Sequence, residues 1–136
     1  MDEPFSEIME TFAVASERQL RAGRRLAELK PQLADVRRQM DEIEAEILNN
    51  GGYDTVAING KNAETRDGQL KIACGKHPAF VALRAARADL ERDIDHCQND
   101  ERDADNIMKR CRLAAEQHTA ETYREAARMP LREMPR

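Results

Sequence analysis

The chain has no tryptophan, two tyrosines and three phenylalanines, so aromatics make up 4% of its 136 residues. Enclosed catalytic pockets are lined mostly by large apolar and aromatic side chains. Their scarcity argues against an ordinary enzyme core and favours a charged helical protein. The longest apolar runs are only a few residues, far short of the ~20 that cross a bilayer. The opening Met1-Asp2-Glu3-Pro4 has neither a basic leader nor an apolar core, so no secretory signal is expected. Three cysteines form an odd set in a chain of this kind and read as reduced thiols in a cytoplasm. A cationic excess is also missing. Lys plus Arg number 22 against 26 Asp plus Glu, a net charge of -4, which is not the balance of a generic nucleic-acid binder.

What the chain does have is a heptad stripe. Steps of three and four from Phe5 give Ile8, Phe12, Ala15, Gln19, Ala22, Leu26, Leu29, Leu33, Val36, Met40, Ile43 and Ile47. Twelve of these thirteen positions are apolar, in a chain that is 40% hydrophobic. This pattern predicts a helix from Pro4 to about Leu48 with a coiled-coil seam. Pro4 suits a first helical turn, and Asp2 and Glu3 complement the positive end of the dipole. Asn49-Asn50-Gly51-Gly52 ends the helix in a left-handed cap. Pro31 interrupts the run and removes the bond to the Ala27 carbonyl. It falls on the outer face and the phase continues through it, so one kinked helix is favoured over two helices broken at Lys30.

Residues 49–77 read as a connector. Tyr53, Val56 and Ile58 alternate loosely as an extended segment, and Asn59-Gly60 is a turn signal. Asn62 caps a short helix from Ala63 to about Cys74, which Gly68 weakens and Gly75 ends. Pro78 reopens a helix that runs to about Arg128. Its stripe is Phe80, Leu83, Leu90, Ile94, Cys97, Ala104, Met108, Cys111 and Ala115, with Arg87, Glu101, His118 and Thr122 in phase. Pro130 and Pro135 close it before a basic tail. The expected organisation is a single domain over 1–136: arm 4–48, connector 49–77, arm 78–128, tail 129–136.

Charge favours an antiparallel hairpin. Setting Ile47 against Phe80 places Arg18, Arg21, Arg24 and Arg25 opposite residues 102–109, in an acidic segment that runs from Asp89 to Asp105. Arg37 and Arg38 come level with Asp89 and Glu91, and Glu42, Glu44 and Glu46 with Arg84 and Arg87. Each exposed pair is worth only about 0.2–1 kcal/mol, but wrong pairings would oppose like charges. The fold class is therefore all-α, a long antiparallel helical hairpin of coiled-coil type with a short irregular or helical connector. A two-helix seam is narrow, and Met9, Val14, Leu20, Leu48, Ile107 and Leu113 lie outside it. A homo-oligomer is expected, most simply a dimer forming a helical bundle. The half holding Gln19, Ala22, Glu101 and Ala104 is expected to open most easily.

No catalytic or metal constellation emerges. Cys74-Gly75-Lys76-His77 has the spacing of half a zinc site but no second half. Cys97 and Cys111 are fourteen residues apart on one helix and read as small seam residues. Cys74 beside His77 is the one Cys/His pairing available for nucleophilic chemistry, with nothing to enclose it. Gly60-Lys61-Asn62 lacks the upstream glycine and following Ser/Thr of a phosphate loop. A softer basic surface remains at Lys61, Arg66, Lys71 and Lys76, nearly balanced by Asp54, Glu64 and Asp67. No cofactor, metal or membrane partner is expected, and the chain is read as a non-enzyme.

The connector segment Ile58-Asn59-Gly60-Lys61-Asn62-Ala63-Glu64-Thr65-Arg66-Asp67-Gly68-Gln69-Leu70 resembles a motif of small phage and prophage proteins, roughly I-x-G-K-N-A-E-x-R-x-x-Q-L between two charged helical arms. The likeness is close over the connector and extends to the arms by pattern. It implies that Asn62, Glu64 and Arg66 form a characteristic corner, with Asn62 capping, Arg66 bridging back to an acid or carbonyl, and Leu70 anchoring the corner. Gly68 departs from the helix former expected there. The resemblance implies a phage-type protein in a host cytoplasm but carries no activity with it; the hairpin and its surfaces are read as binding another protein. An accessory nucleic-acid-binding role in replication or recombination is the second reading. The candidate interaction residues are Lys61, Asn62, Glu64, Arg66, Lys71 and Lys76.

Overall fold

Helix α1 runs unbroken from Glu3 to Asn49 with Pro31 inside it. The structure, a computed structural model, describes residues 3–128; the expectations for Asp2, Pro130, Pro135 and the basic tail lie outside them. Pro31 is exposed, as its outer heptad position requires, so its ring is turned away from the buried stripe. Leu29 and Leu33 on either side of it remain buried at 1% and 9% exposure. Side-chain bonds brace the helix just beyond the proline. Asp35 accepts from Arg38 and Gln39, and Arg38 also donates to Glu42 at 2.6 Å. The bond from Arg38, then that from Gln39, holds the Asp35 carboxyl below the usual aspartate range.

The helix ends where the glycines begin. Gly51 adopts a φ of 73° and donates to the Leu48 carbonyl at 3.1 Å. A two-stranded hairpin follows, β1 at Gly52–Tyr53 and β2 at Val56–Ala57, paired antiparallel. Helix α2 spans Ala63–Lys76, and helix α3 spans Pro78–Arg128. The architecture is all-α apart from the small hairpin: two long helices and a connector, as the stripes predict. The turn lies elsewhere than expected. Asp54 and Thr55 make it, with Asp54 at a φ of 55°, while Asn59-Gly60 serves as the approach to α2. Gly75 does not end α2, which continues to Lys76 with His77 as its cap.

The chain forms two compact units, and α1 and α3 contribute a segment to each. In the unit of residues 25–96, Met40, Ile47, Ala73, Cys74 and Phe80 form a buried cluster. Val36, Ile43, Tyr53, Val56, Ile58, Leu70 and Leu83 pack around it. This core draws on α1, the connector and α3 together. Arg37 reaches Glu91 across the seam at 3.3 Å while Ile47, further along α1, shares a cluster with Phe80, earlier on α3, so the two segments run antiparallel here.

The second unit holds residues 1–24 and 97–136. Its core is built from small side chains: Ala15, Ala104 and Met108, flanked by Phe12 and Ile107. The segments again run antiparallel, shown by the stacked rings of Phe5 and His118 at 5.5 Å and by the Arg112 guanidinium 5.7 Å from the Phe12 ring. Arg18 bonds Asp100 at 2.7 Å and stands 3.8 Å from Asp103. That bond, offset by partial burial, raises the Arg18 guanidinium above its ordinary value.

These contacts correct the expected register in this unit. Arg18 was expected opposite the 102–109 end of the acidic segment, yet its partners begin at Asp100. Phe5 and Phe12 likewise meet residues about one helical turn earlier on α3 than the Ile47–Phe80 alignment gives. The acidic run offers a partner every one to five residues, so charge fixed the direction of pairing but not its register. Several expected cross-helix arginines are also spent on their own helix: Arg21 on Glu17, Arg25 on Glu28 and Arg38 on Asp35 and Glu42. Arg87 stands 3.8 Å from Glu91, four residues on. Local partners one turn away cost less ordering than a partner on another helix.

Candidate interaction surface

The connector is assembled from its own polar side chains. Asn62 sits in extended backbone before α2, and its Oδ1 accepts the Thr65 amide at 2.7 Å. This satisfies one of the N–H groups that a helix start leaves unbonded. Gln69, two turns into α2, turns back toward the segment that leads into the helix. Its Oε1 accepts the amides of Asn59 and Gly60, both at 2.9 Å. Its Nε2 donates to Asn59 Oδ1 at 3.1 Å. Arg66 donates to the Gly60 carbonyl at 3.1 Å, the bridge expected of it. Leu70 packs on the buried cluster of this unit, the anchoring role the motif implied.

Gly60 makes this corner possible. A Cβ there would lie 2.6 Å from Thr65 Cγ2 and 3.1 Å from the Arg66 amide nitrogen. Gly52 is equally constrained, because a Cβ would meet the Val56 carbonyl oxygen at 2.2 Å and its φ is 148°. Gly68 and Gly75 have open space around them and serve no such purpose.

The far side of the connector is closed by His77. Its backbone is extended, as the following Pro78 imposes, and its Nδ1 accepts the Phe80 amide at 3.3 Å, capping α3. The imidazole also lies against Tyr53, with ring centroids 4.7 Å apart. Cys74 is not the open thiol that the sequence led us to expect. It is buried, and burial, with a further push from the Glu44 charge, raises its thiol above the ordinary range. The connector folding over it supplies an enclosure that no residue pattern announced. A neutral buried thiol beside a histidine already engaged in a cap is a packing residue.

The six candidate residues therefore divide. Asn62 and Arg66 are built into the corner, and Lys76 reaches Thr55 Oγ1 at 3.4 Å. Lys61, Glu64 and Lys71 are exposed, and no bond to a described residue involves them. In the same unit, three large apolar side chains remain open to solvent: Leu48 on α1 at 50%, Ile72 on α2 at 57% and Val81 on α3 at 36%. Ile72 was not singled out in the sequence. Its signal is the one large aliphatic residue of α2 that falls out of phase with Leu70, Ala73 and Cys74.

Among the described residues no group of three or more His, Cys, Asp or Glu side chains could hold a metal ion. No helix among them is long and apolar enough to cross a membrane. Comparison of the chain with protein-family models, curated proteins and solved structures gave no match, so the likeness of the connector to phage proteins rests on the residues of its motif.

Proposed function

We propose that this chain is a non-enzymatic interaction protein whose connector docks onto another protein. The observation that carries the reading is the way the connector spends its polar groups. Asn59, Gly60, Asn62, Arg66 and Gln69 bond one another, while Ile72, Leu48 and Val81 stay exposed. Ile72, exposed on an internally bonded corner, suits a protein partner, since little ordering is left to lose on binding. Lys61 and Lys71 at the rim would set orientation and encounter rate. The nucleic-acid alternative is weaker, because two of its four cations, Arg66 and Lys76, are already bonded within the connector. The motif's resemblance to phage proteins is in keeping with this reading.

A photo-crosslinking amino acid at Ile72, compared with one at exposed Asp93, tests it in cells that produce the protein. Adducts with a distinct protein from Ile72 and none from Asp93 are expected. Equal adducts at both positions, or none at Ile72, would refute the reading. A shift of labelled DNA that falls with salt and is lost in Lys61→Ala and Lys71→Ala chains would transfer the function to nucleic acid.

A further inference from the structure

A second surface lies in the unit of residues 1–24 and 97–136. Glu7, Ile8 and Thr11 of α1 and Ile107, Arg110 and Ala114 of α3 line an open groove beside the seam. Val14 stands on the same stripe of α1, one turn beyond Thr11, and is 68% exposed. The floor is aliphatic and the two rims carry opposite charges. Glu7 and Arg110 are both exposed, and neither makes an ion pair with a described residue.

Their failure to meet has a geometric cause. Phe5 stacks on His118 and Phe12 lies under Arg112, so Glu7 stands about level with Glu116. Arg110 is six residues away from that level, roughly 9 Å along the helix. Side chains tilt toward the N-terminus of their own helix. On antiparallel helices, Glu7 and Arg110 therefore lean apart.

We infer that the occupant of this groove is a second copy of the chain, packed across a two-fold axis that lies in the face of the groove, oblique to the helices and at right angles to the line from Glu7 to Arg110. Such an axis exchanges the two levels and brings Glu7 of each copy beside Arg110 of the other. One acid and one base on opposite rims make a self-complementary surface, the requirement of an isologous interface. Ile8, Val14 and Ile107 of both copies then cover one another, which removes the exposed aliphatic face that a small-residue seam leaves behind. This inference is independent of the connector reading.

Charge reversal in trans tests it, read by sedimentation equilibrium on the full chain. Wild type is expected to dimerise. Glu7→Arg alone and Arg110→Glu alone should each raise the dissociation constant by about tenfold or more, because each self-pairing then opposes like charges twice. An equimolar mixture of the two variants should form a heterodimer within about threefold of wild type, since every rim then faces its opposite. Val14→Asp, at an exposed site that leaves helicity intact by circular dichroism, should also disrupt the dimer. A monomeric wild type, a dimer indifferent to these changes, or variants that do not recover on mixing would each overturn the inference.

Discussion

Gln69 binds Asn59 twice: its Oε1 accepts the Asn59 amide at 2.9 Å and its Nε2 donates to the Asn59 Oδ1 at 3.1 Å. A residue on α2 thus fixes the irregular segment that leads into it. Both ends of the side-chain amide are used, so Gln69→Leu removes three hydrogen bonds, counting the one from Gly60. For a network mostly open to solvent the loss should be about 1 kcal/mol. Gln69→Glu keeps the acceptors but loses the donor, and should fall between. Urea unfolding of the three chains provides the measurement.

Four of the five connector glycines should separate cleanly. Gly68→Ala and Gly75→Ala place a methyl group in open space within a helix, and each should stabilise by about 0.5–1 kcal/mol. Gly60→Ala and Gly52→Ala drive a methyl into Thr65 and into the Val56 carbonyl, and both should destabilise. Thermal midpoints moving in opposite directions for the two pairs would verify the corner geometry.

Much of this corner was legible beforehand. Asn62 as a cap follows from its side chain and from the helix formers after it, and Pro78 as a helix start follows from its fixed φ. Gln69 was not legible, because nothing local marks a glutamine that bonds ten residues back. The hairpin turn at Asp54-Thr55 was hidden for a similar reason. Asn59-Gly60 has the better turn chemistry, but Gln69 occupies both of its amides. On the arms, the burial of Leu26, Leu29, Leu33, Met40 and Ile47 could be read from periodicity alone. Register in the unit of Ala15 and Ala104 could not, since alanines have no shape to specify and acids recur too often to choose between neighbouring turns.

Pro31 offers a test of how much the unbroken helix tolerates. Its ring is exposed, and its cost is a missing bond to the Ala27 carbonyl. Pro31→Ala restores that bond without touching the buried stripe. Stability should rise by about 1–3 kcal/mol, less whatever the proline contributes by stiffening the unfolded chain. Calorimetry would show it as a higher midpoint with unchanged helicity at low temperature.

The thiols report on local opening. Cys97 and Cys111 are buried at 9% and 8% exposure in the unit with the smaller core, whereas Cys74 lies at 3% exposure within the larger cluster. Timed alkylation read by mass spectrometry should modify Cys97 and Cys111 about tenfold or more ahead of Cys74, because opening their unit exposes less apolar surface. The raised Cys74 thiol adds a pH dependence of known sign. Its folded form resists ionisation, so its share of stability is intact below the ordinary thiol value, about 9, and is lost as pH climbs through and beyond it. Cys74→Ala should flatten that alkaline decline.

The uninterrupted phase through Pro31 constrains how such a protein can change in size. One residue added between Leu29 and Leu33 would rotate everything after it by about 100° and swing Met40 and Ile47 away from Phe80. Seven residues would return them to the same side, but only if α3 grew by the same amount. Lengthening or shortening of these arms during divergence should therefore come in matched heptads, one on each helix, while the connector stays constant.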